Sequence, residues 1–413
     1  MNVKLFPSKI SGECFAPPSK SYAHRLLIAS FLSGKKVKIN GIGNSADVFA
    51  TIHALKSIGG EISVENNCAI LQRKSVSGKV DVYCRESGST LRFLLPVVAG
   101  LGINGEFTGE KRLMERPLGE LVDTLNSRGA DIHGRTVCGK LESGRFEISA
   151  NVSSQYVTGL LFALPVLDGD SELILVGDTV SKGYIDITLD VLAKFGIKIK
   201  PTDYGFFVQG NQRYTPPKEE IFVEGDFSGS AFTLCLGALS KDGVSVKGLN
   251  AESKQGDREI LDVLKKFGAK VEIEKDKVTV CGEKLEAIDI DCENIPDLVQ
   301  IISVVASFAD GESVLRNISR LRLKESDRVQ SVLDMLKVAG IDAKSDGNNI
   351  FVKGGKPKGG IFDGGNDHRT VMSSSVLALS AKGPSEIIGA QAINKSYPAF
   401  FEDLVKLGGK VSG

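Results

Sequence analysis

Residues 228–273 read SGSAFTLCLGALSKDGVSVKGLNAESKQGDREILDVLKKFGAKVEI and contain one copy of the unit that decides the fold. Residues 228–243 are apolar on almost every side, which is typical of a helix that is buried all round. The alternating stretch VSVKGL then indicates a strand. The stretch DVLKKFGAKVEI predicts an amphipathic helix that ends at Gly268 and leads into another strand, because glycine tolerates the left-handed conformation that closes a helix.

This unit recurs six times along the chain. Its closing glycine falls at positions 59, 129, 196, 268, 340 and 408, so the spacing of successive copies is nearly constant. The apolar segment recurs in the same phase, for example as STLRFLLPVVAGLG and HRTVMSSSVLALSAKG. This period is too long for common solenoids and favours a closed arrangement of repeats. We therefore predict an α/β fold of six units, each a strand, buried helix, strand, amphipathic helix and strand pair.

Six units in 413 residues divide naturally into two domains of three. Pairs of prolines at positions 17–18 and 216–217 lie near extended segments that could connect the domains. We predict a discontinuous domain made of residues 1–16 plus 225–413, and an inserted domain of residues 17–224. The cleft between two such domains is the expected ligand site.

The composition argues against several classes of function. The 51 Lys and Arg residues balance the 51 Asp and Glu residues, so the net charge is zero, which argues against a general nucleic-acid or membrane-surface binder. No apolar stretch approaches the roughly 20 residues that span a bilayer. Seven scattered cysteines without a C-x-x-C pair indicate buried, reduced thiols in a cytoplasmic protein, and four dispersed histidines make a metal site unexpected.

Polar residues open the six apolar helices, and this is the main indication of a site. Each one alone reads as an ordinary helix cap. Together, helix N-termini that point at one cleft would attract anions. Several cations accompany these starts, which capping does not explain, and Arg suits phosphate and carboxylate ligands. The residues concerned are Ser21, Ser89, Ser153, Ser154, Gln155, Ser228, Ser230, Asp297 and His368, with the cations Lys20, Arg25, Arg116, Lys324, Arg328, Arg369 and Lys395.

Two local patterns have a simpler interpretation. Glu325 and Arg328 are three residues apart, which by itself indicates a surface ion pair. Residues 41–46, GIGNSA, match a dinucleotide-binding glycine pattern with Glu61 about 20 residues on. That acid stands at the start of the next strand rather than at its end, so the pattern is a weak alternative.

Nine stretches resemble the EPSP synthase family of enolpyruvyl transferases in sequence and in order. They are PSKSYAHR, ESGSTLRF, MERPLGELVDTL, SSQYVTGLL, SKGYIDITL, IPDLVQ, LKESDRV, NDHR and NKSYPAFFEDL, which extend from residue 18 to residue 404. The resemblance implies a two-domain, inverse α/β barrel-like fold built from six βαβαββ repeats, three per domain. This agrees with the six units counted above.

The resemblance also implies a reaction and a set of residues. The reaction is transfer of the enolpyruvyl group of phosphoenolpyruvate to the 5-hydroxyl of shikimate 3-phosphate, with release of phosphate and without metal or organic cofactor. The implied catalytic residues are Asp297 as base, Glu325 as acid, and Lys20. Shikimate 3-phosphate would be held by Lys20, Ser21, Arg25, Ser153, Ser154, Gln155, Ser181, Tyr184, Asp297 and Lys324. Phosphoenolpyruvate would be held by Lys20, Gly88, Arg116, Gln155, Arg328, Arg369 and Lys395. We expect a cytoplasmic monomer with small-molecule partners only.

Two alternatives remain at this point. The sister enzyme UDP-N-acetylglucosamine enolpyruvyl transferase has a loop cysteine five residues before its Arg-Pro, where this chain has Lys111. A non-catalytic anion-binding module with the same repeats would not need Asp297 and Glu325 together with Lys20. The chain also departs from the family at Glu86 and Arg320, where Asn is common, and we leave both residues out of the expected site.

Overall fold

A computed structural model describes residues 1–149, 153–177 and 181–413. The chain forms two compact units. Unit 1 consists of Met1–Ser19 and Glu224–Gly413, and unit 2 consists of Lys20–Val223. Each unit has its own hydrophobic core, in which Phe227, Phe232 and Phe267 contribute to unit 1, and Phe93 and Phe162 contribute to unit 2.

The helices of the described residues alternate between buried and amphipathic ones. In chain order they are α1 Lys20–Ser33, α2 Ala46–Ser57, α3 Gly88–Gly100, α4 Lys111–Glu115, α5 Gly119–Asn126, α6 Ser154–Ala163, α7 Lys182–Lys194, α8 Phe227–Ala238, α9 Ile260–Lys266, α10 Val299–Ala306, α11 Arg328–Val338, α12 His368–Ser380 and α13 Phe400–Lys406. Short 3-10 helices cover Leu164–Val166, Gly256–Glu259, Ser319–Leu323 and Ala390–Lys395.

Six four-stranded sheets occur in the described ranges, three per unit, and all have one pattern of a parallel pair extended by two antiparallel pairings. In unit 2 their strands, in spatial order, are Ile221–Phe222, Val37–Asn40, Cys68–Arg73 and Gly60–Glu65; Val80–Tyr83, Gly105–Thr108, Thr136–Val137 and Ile132–His133; and Arg145–Ser149, Ser171–Val176, Gly205–Val208 and Ile199–Thr202. In unit 1 they are Lys270–Ile273, Lys277–Cys281, Val244–Lys247 and Gly12–Phe15; Asp289–Asp291, Glu312–Arg316, Ile350–Lys353 and Ala343–Ser345; and Ile361–Asp363, Ser385–Ile388, Asn2–Phe6 and Lys410–Ser412.

Some repeats are completed by strands that are distant in the chain. The strand before α1, Gly12–Phe15, pairs in parallel with Val244–Lys247, which follows α8. The strand before α8, Ile221–Phe222, pairs in parallel with Val37–Asn40, which follows α1. The N-terminal strand Asn2–Phe6 completes the sheet of the last repeat. The first strands of two repeats are therefore exchanged, which explains why unit 1 is discontinuous.

The predicted α/β fold and its repeat pattern are confirmed. The apolar helices are buried almost throughout, and in α3, α6 and α8 the residues with appreciable exposure are Ser89, Gln155 and Ser228 at the N-terminal turn. All six closing glycines have positive φ, between +71° and +98°. A residue with a Cβ is disfavoured in that conformation, which is why glycine recurs there.

The predictions about caps and thiols need correction. The side chains that cap α3, α8 and α12 are Ser87, Asp226 and Asp367, one to two residues before the polar residues that were read as possible caps. Of the cysteines, Cys138 is exposed and two others are half-buried, so burial of all seven was wrong. Cys138 lies just beyond a two-residue strand, where little chain is available to cover it.

Candidate active site

Lys20, the first residue of α1 in unit 2, forms a partly buried ion pair. Lys20 Nζ lies 2.9 Å from Asp47 Oδ2, and the two side chains are 19% and 17% exposed. Asp47 lies in the first turn of α2, where a carboxylate is favoured by the helix dipole. Asp47 was not among the predicted site residues, because an acid in a first turn reads as ordinary helix chemistry.

One turn further along α1, Arg25 is buried and held by neutral oxygens. It donates to Ser21 O at 2.8 Å, to Thr188 Oγ1 at 2.8 Å and to Tyr184 O at 2.9 Å. Its guanidinium also lies 4.9 Å from the centre of the Phe93 ring. Burial lowers the pKa of Arg25 to about 10, which still leaves it protonated at neutral pH. Arg25 is therefore a fixed positive charge beneath the α1 start.

Arg92, a buried residue of α3, links the starts of α3 and α6 through hydrogen bonds. No sequence pattern singled it out. Arg92 Nη1 donates to Gln155 Oε1 at 2.7 Å, and Gln155 Nε2 donates to Ser89 Oγ at 3.0 Å. Arg116, the residue after α4, lies directly beside Gly88, where an added Cβ would be only 2.6 Å from Arg116 Nη1. Arg92 escaped attention because it lies inside an apolar helix.

The remaining predicted residues of unit 2 occupy helix starts as well. Ser153 caps α6 by accepting from Gln155 N at 3.3 Å, and Ser154 is the first residue of that helix. Ser181 precedes α7 and is buried, with a positive φ of 55°. The carbonyl of Tyr184 accepts from Arg25, as described above. Arg116 was expected at the start of a helix, but α5 begins only at Gly119, because Pro117 keeps the chain extended there.

In unit 1, a single buried arginine binds three carboxylates. Arg328 is 1% exposed and lies 2.6 Å from Asp297 Oδ1, 2.8 Å from Glu325 Oε2 and 2.8 Å from Asp367 Oδ2. Burial would raise the pKa of Asp367, but Arg328 outweighs that effect and holds the pKa below its usual value. The surface-pair interpretation of Glu325 and Arg328 was therefore wrong, because Asp297 and Asp367 from distant segments complete a buried cluster.

Asp297 is also bound by other cations. Arg369 donates from Nη1 to Asp297 O at 2.9 Å, and its Nη2 lies 3.4 Å from Asp297 Oδ2. Lys324 Nζ lies 3.7 Å from Asp297 Oδ1. Lys395 lies at the end of a 3-10 helix, where it donates to Asn366 O at 2.5 Å. Unit 1 thus brings Asp297, Glu325, Lys324, Arg328 and Arg369 together, as residues of one cluster.

A further buried acid stands behind this cluster and was not predicted. Asp257 belongs to the 3-10 helix before α9 and is 4% exposed. Burial raises its pKa to about 6, the Asp297 charge adds to the increase, and Arg369 opposes it. Neighbouring acids at 259 and 262 made Asp257 look like one of several acids at the start of an amphipathic helix.

The residues described in the two units are suited to binding anions and to transferring protons. In each unit, cations lie at or beside the starts of buried helices, where anionic ligands are favoured. In unit 1, Asp297 and Glu325 share the buried cation Arg328, and carboxylates held in different surroundings can serve as an acid and a base. Whether residues of both units meet in one crevice remains a prediction.

Comparison with known proteins decides the family. The family model described as EPSP synthase (3-phosphoshikimate 1-carboxyvinyltransferase) matches residues 6–404. The chain belongs to the EPSP synthase family. Relatives named 3-phosphoshikimate 1-carboxyvinyltransferase come from Clostridium novyi, at 38% identity, and Clostridium kluyveri, at 39% identity. Each alignment covers 99% of this chain and 98% of the relative.

Solved structures agree with this fold. EPSP synthase from Acinetobacter baumannii superposes with a TM-score of 0.83 at 23% identity, covering all of both chains. The enolpyruvyl transferase NikO from Streptomyces tendae has a TM-score of 0.78 at 15% identity, covering all of this chain and 98% of its own. At these identities the two structures support the fold alone.

Membership in the EPSP synthase family makes the chain an enzyme. It is a transferase of the shikimate pathway of aromatic amino-acid biosynthesis, and its reaction is enolpyruvyl transfer to shikimate 3-phosphate. The alternatives, a UDP-N-acetylglucosamine enolpyruvyl transferase and a non-catalytic module, are not favoured by these relatives. Within the part of the chain that the structure describes, no helix has the length and apolar character needed to cross a membrane.

Proposed function

We propose that the chain transfers the enolpyruvyl group by addition and elimination through a tetrahedral ketal, with Asp297 and Glu325 as the proton-transfer residues. The observation that carries this proposal is the attachment of both carboxylates to the same buried guanidinium, that of Arg328, at 2.6 and 2.8 Å. Arg328 sets the positions of the two carboxylates independently of solvent, and fixed geometry is what efficient proton transfer requires.

We propose that unit 2 holds shikimate 3-phosphate mainly through the starts of α1, α6 and α7. Ser153, Ser154 and Ser181 supply hydroxyls and backbone N–H groups at these starts, which suit a phosphate. The buried charge of Arg25 offsets the negative charge of the ligand. The other residues proposed for this substrate are Lys20, Ser21, Gln155, Tyr184, Asp297 and Lys324.

Phosphoenolpyruvate carries a phosphate and a carboxylate, so its binding needs several cations. We propose Lys20, Arg116, Arg328, Arg369 and Lys395, with Gly88 and Gln155 at the helix starts beside them. Gly88 has a clear physical role in this set, because the Arg116 guanidinium occupies the space that a side chain at position 88 would need. Arginine forks suit both anionic groups of this substrate.

The proposed reaction adds the hydroxyl to the double bond of phosphoenolpyruvate and then eliminates phosphate. Glu325 donates a proton to the methylene carbon of phosphoenolpyruvate, with Lys20 assisting, and the adjacent carbon becomes electrophilic. The 5-hydroxyl of shikimate 3-phosphate attacks that carbon and gives its proton to Asp297, which forms the ketal. The bond from this carbon to the phosphate oxygen then breaks. Glu325 takes back a methyl proton, the enol ether double bond forms, and phosphate leaves with the hydroxyl proton.

We propose that the substrates bind in a cleft between the two domains, in a cytoplasmic monomer. Polyanionic substrates brought together there would need cations from both domains to offset their repulsion. All seven cysteines are unpaired, which suits a reducing compartment and can be checked by cell fractionation. Mixing Lys20→Met protein with Asp297→Asn protein tests whether one chain carries the whole site: no turnover should return, and restored turnover would show a site shared between chains.

Phosphate release measured with phosphoenolpyruvate, with and without shikimate 3-phosphate, tests the proposed reaction. We expect phosphate only when both substrates are present, and none when UDP-N-acetylglucosamine replaces shikimate 3-phosphate. Asp310→Asn, at an acid that is 73% exposed, serves as a matched control that retains activity. Phosphate release from phosphoenolpyruvate alone, or no release with both substrates, would contradict the proposal.

Replacing Gly88 by Ala should weaken phosphoenolpyruvate binding without unfolding the protein. The new Cβ would lie 2.6 Å from Arg116 Nη1, the end of a flexible side chain that can move aside. Displacing Arg116 loses a hydrogen bond to a charged group, so the KM for phosphoenolpyruvate should rise about tenfold. Gly119→Ala, where a Cβ would have nothing within 4 Å, is the control. Equal KM values in steady-state assays of both variants would remove Gly88 from the site.

A further inference from the structure

Arg116 lies in a short connection between two helices rather than within one. The helix before it, α4, is only five residues long, and Arg116 itself is extended, with a φ of −70° and a ψ of 141°. The next helix begins at Gly119. On the N-terminal side, Arg135 donates to the carbonyl of Met114. On the C-terminal side, Pro117 has no backbone N–H, so its carbonyl is the polar group through which it can be anchored.

The Pro117 carbonyl is bound by two side chains from neighbouring helices. Tyr156 in α6 donates from its hydroxyl to Pro117 O at 2.8 Å. Arg92 in α3 donates from Nη2 to the same oxygen at 3.1 Å. A carbonyl oxygen has two lone pairs, so it can accept both hydrogen bonds. Helices α3 and α6 thus both hold the residue that follows Arg116.

Tyr156 is the more rigid of these two anchors. Its side chain is 1% exposed, and the Arg92 guanidinium lies 5.6 Å from the centre of its ring. A tyrosine side chain has two χ angles, whereas Arg92 has a longer, more flexible side chain that also donates to Gln155 Oε1 at 2.7 Å. Burial raises the pKa of Tyr156, so its hydroxyl stays protonated and can donate at neutral pH.

Tyr156 also belongs to a helix start that the proposed function assigns to the substrates. It is the third residue of α6, which begins at Ser154. Ser153 caps this helix by accepting from Gln155 N at 3.3 Å. Tyr156 therefore connects the start of α6 to the segment that carries Arg116. A guanidinium binds an anion well only when it is presented in a suitable direction, so the position of this segment matters for the ligand.

We infer that Tyr156 is a positioning residue that sets the place of Arg116 relative to the start of α6, by holding the Pro117 carbonyl. The inference rests on the proposed function, which assigns Arg116 to phosphoenolpyruvate, and Ser153 and Ser154 to shikimate 3-phosphate. The Tyr156 hydroxyl is bound to a backbone oxygen and binds neither substrate in this account. It acts on the affinity for phosphoenolpyruvate through the backbone that presents Arg116.

Tyr156→Phe removes the hydroxyl and keeps the ring, so it tests the inference by steady-state kinetics. Loss of one buried hydrogen bond should raise the KM for phosphoenolpyruvate about fivefold, while kcat and the KM for shikimate 3-phosphate change less than about twofold. Tyr214→Phe is the matched control, because the Tyr214 hydroxyl is also buried and donates to a backbone oxygen near the end of α6, Phe162 O, at 2.7 Å. This control should leave all three constants unchanged.

The kinetic result can contradict the inference in several ways. An unchanged KM for phosphoenolpyruvate in Tyr156→Phe, or equal increases in the two KM values, would overturn it. A similar increase in Tyr214→Phe would also overturn it, because the effect would then be a general response to the loss of a buried hydroxyl. If the unsubstituted protein releases phosphate from both substrates, such results reject only the role of Tyr156. If it releases none, the proposed function itself fails.

Combining Tyr156→Phe with Gly88→Ala tests whether the effect passes through Arg116. A Cβ at position 88 would lie 2.6 Å from Arg116 Nη1 and should already displace that guanidinium. Tyr156→Phe should then add less than about twofold to the KM for phosphoenolpyruvate, because both substitutions disturb the same group. An added increase of about fivefold would show that Tyr156 acts by another route and would overturn the inference.

Hydrogen exchange tests the anchoring itself and needs no turnover. Backbone exchange in residues 111–118, measured by mass spectrometry, should be faster in Tyr156→Phe than in the unsubstituted protein, because a segment that loses an anchor opens more readily. Tyr214→Phe should leave the exchange of these residues unchanged. Unchanged exchange in Tyr156→Phe would show that the hydroxyl does not hold the segment. Faster exchange throughout unit 2 would indicate a structural role, and either result would overturn the inference.

Discussion

Asp297→Asn should abolish turnover while shikimate 3-phosphate still binds. Asn has nearly the same shape as Asp but cannot accept the 5-hydroxyl proton in the way a carboxylate does. Loss of a general base typically lowers the rate by about 10²–10⁴-fold. The cations around Asp297, namely Arg328, Arg369 and Lys324, stay in place and keep the site attractive for anions. Phosphate release measures turnover, and titration calorimetry measures binding of shikimate 3-phosphate.

The control for this prediction is Asp310→Asn, which removes an exposed acid from the same unit and should leave both quantities unchanged. Turnover by Asp297→Asn at the unsubstituted rate would exclude Asp297 as the base. Loss of binding together with turnover would show that the carboxylate is needed to hold the substrate, which the proposed mechanism does not predict.

Arg328→Met should destabilise unit 1 by about 3–5 kcal/mol, because removal of one partner from a buried ion pair leaves an uncompensated charge. Asp367 is fully buried and depends on Arg328 Nε, at 2.8 Å, for its charge compensation. Asp297 and Glu325 lose the same partner, so activity should also disappear. Urea unfolding followed by circular dichroism measures the loss of stability.

A surface pair in the same unit provides the matched control. Arg316 donates from Nε to Asp289 Oδ1 at 2.6 Å, but its side chain is 48% exposed. Arg316→Met should therefore cost no more than about 1 kcal/mol. Equal losses in the two variants would show that burial of the Arg328 cluster does not matter for stability.

The loss of folding stability in Arg328→Met should depend on pH. Arg328 holds the pKa of Asp367 below its usual value, so the stability that this pair contributes is present above the unfolded pKa of about 4 and is lost as the pH falls through the folded pKa. In Arg328→Met, the main opposition to the effect of burial on Asp367 is lost, so the acid protonates more readily. The difference in stability between the two proteins should therefore narrow as the pH falls, starting above about 4, where Asp367 of the variant already protonates. A difference that widens in acid would contradict the assignment of Asp367 as the main partner.

Sequence patterns single out polar and charged residues near helix N-termini, but they do not single out residues that are distinguished only by their neighbours in the fold. Lys20, Ser153 and Arg369 lie at or beside helix N-termini, and the apolar run that follows each of them predicts the helix. Arg92 lies within such a run, and Asp257 lies among other acids, so neither has a local pattern that separates it from ordinary helix residues. Gln155, the partner of Arg92, belongs to another helix, and such a pair forms only when separate elements of the chain pack together.

The sequence by itself determined the six repeats, the buried helices, the glycines that close the amphipathic helices, and the family, because periodicity and ordered motifs are properties of contiguous residues. Only the tertiary structure decided that Arg328 binds Asp297 and Asp367 as well as Glu325, and that the strands before α1 and α8 are exchanged between sheets. Apart from the pair with Glu325, these contacts join segments that are distant from one another in the chain. Their formation depends on how complete elements pack and which charges must be compensated when water is excluded, and no short stretch of sequence carries that information.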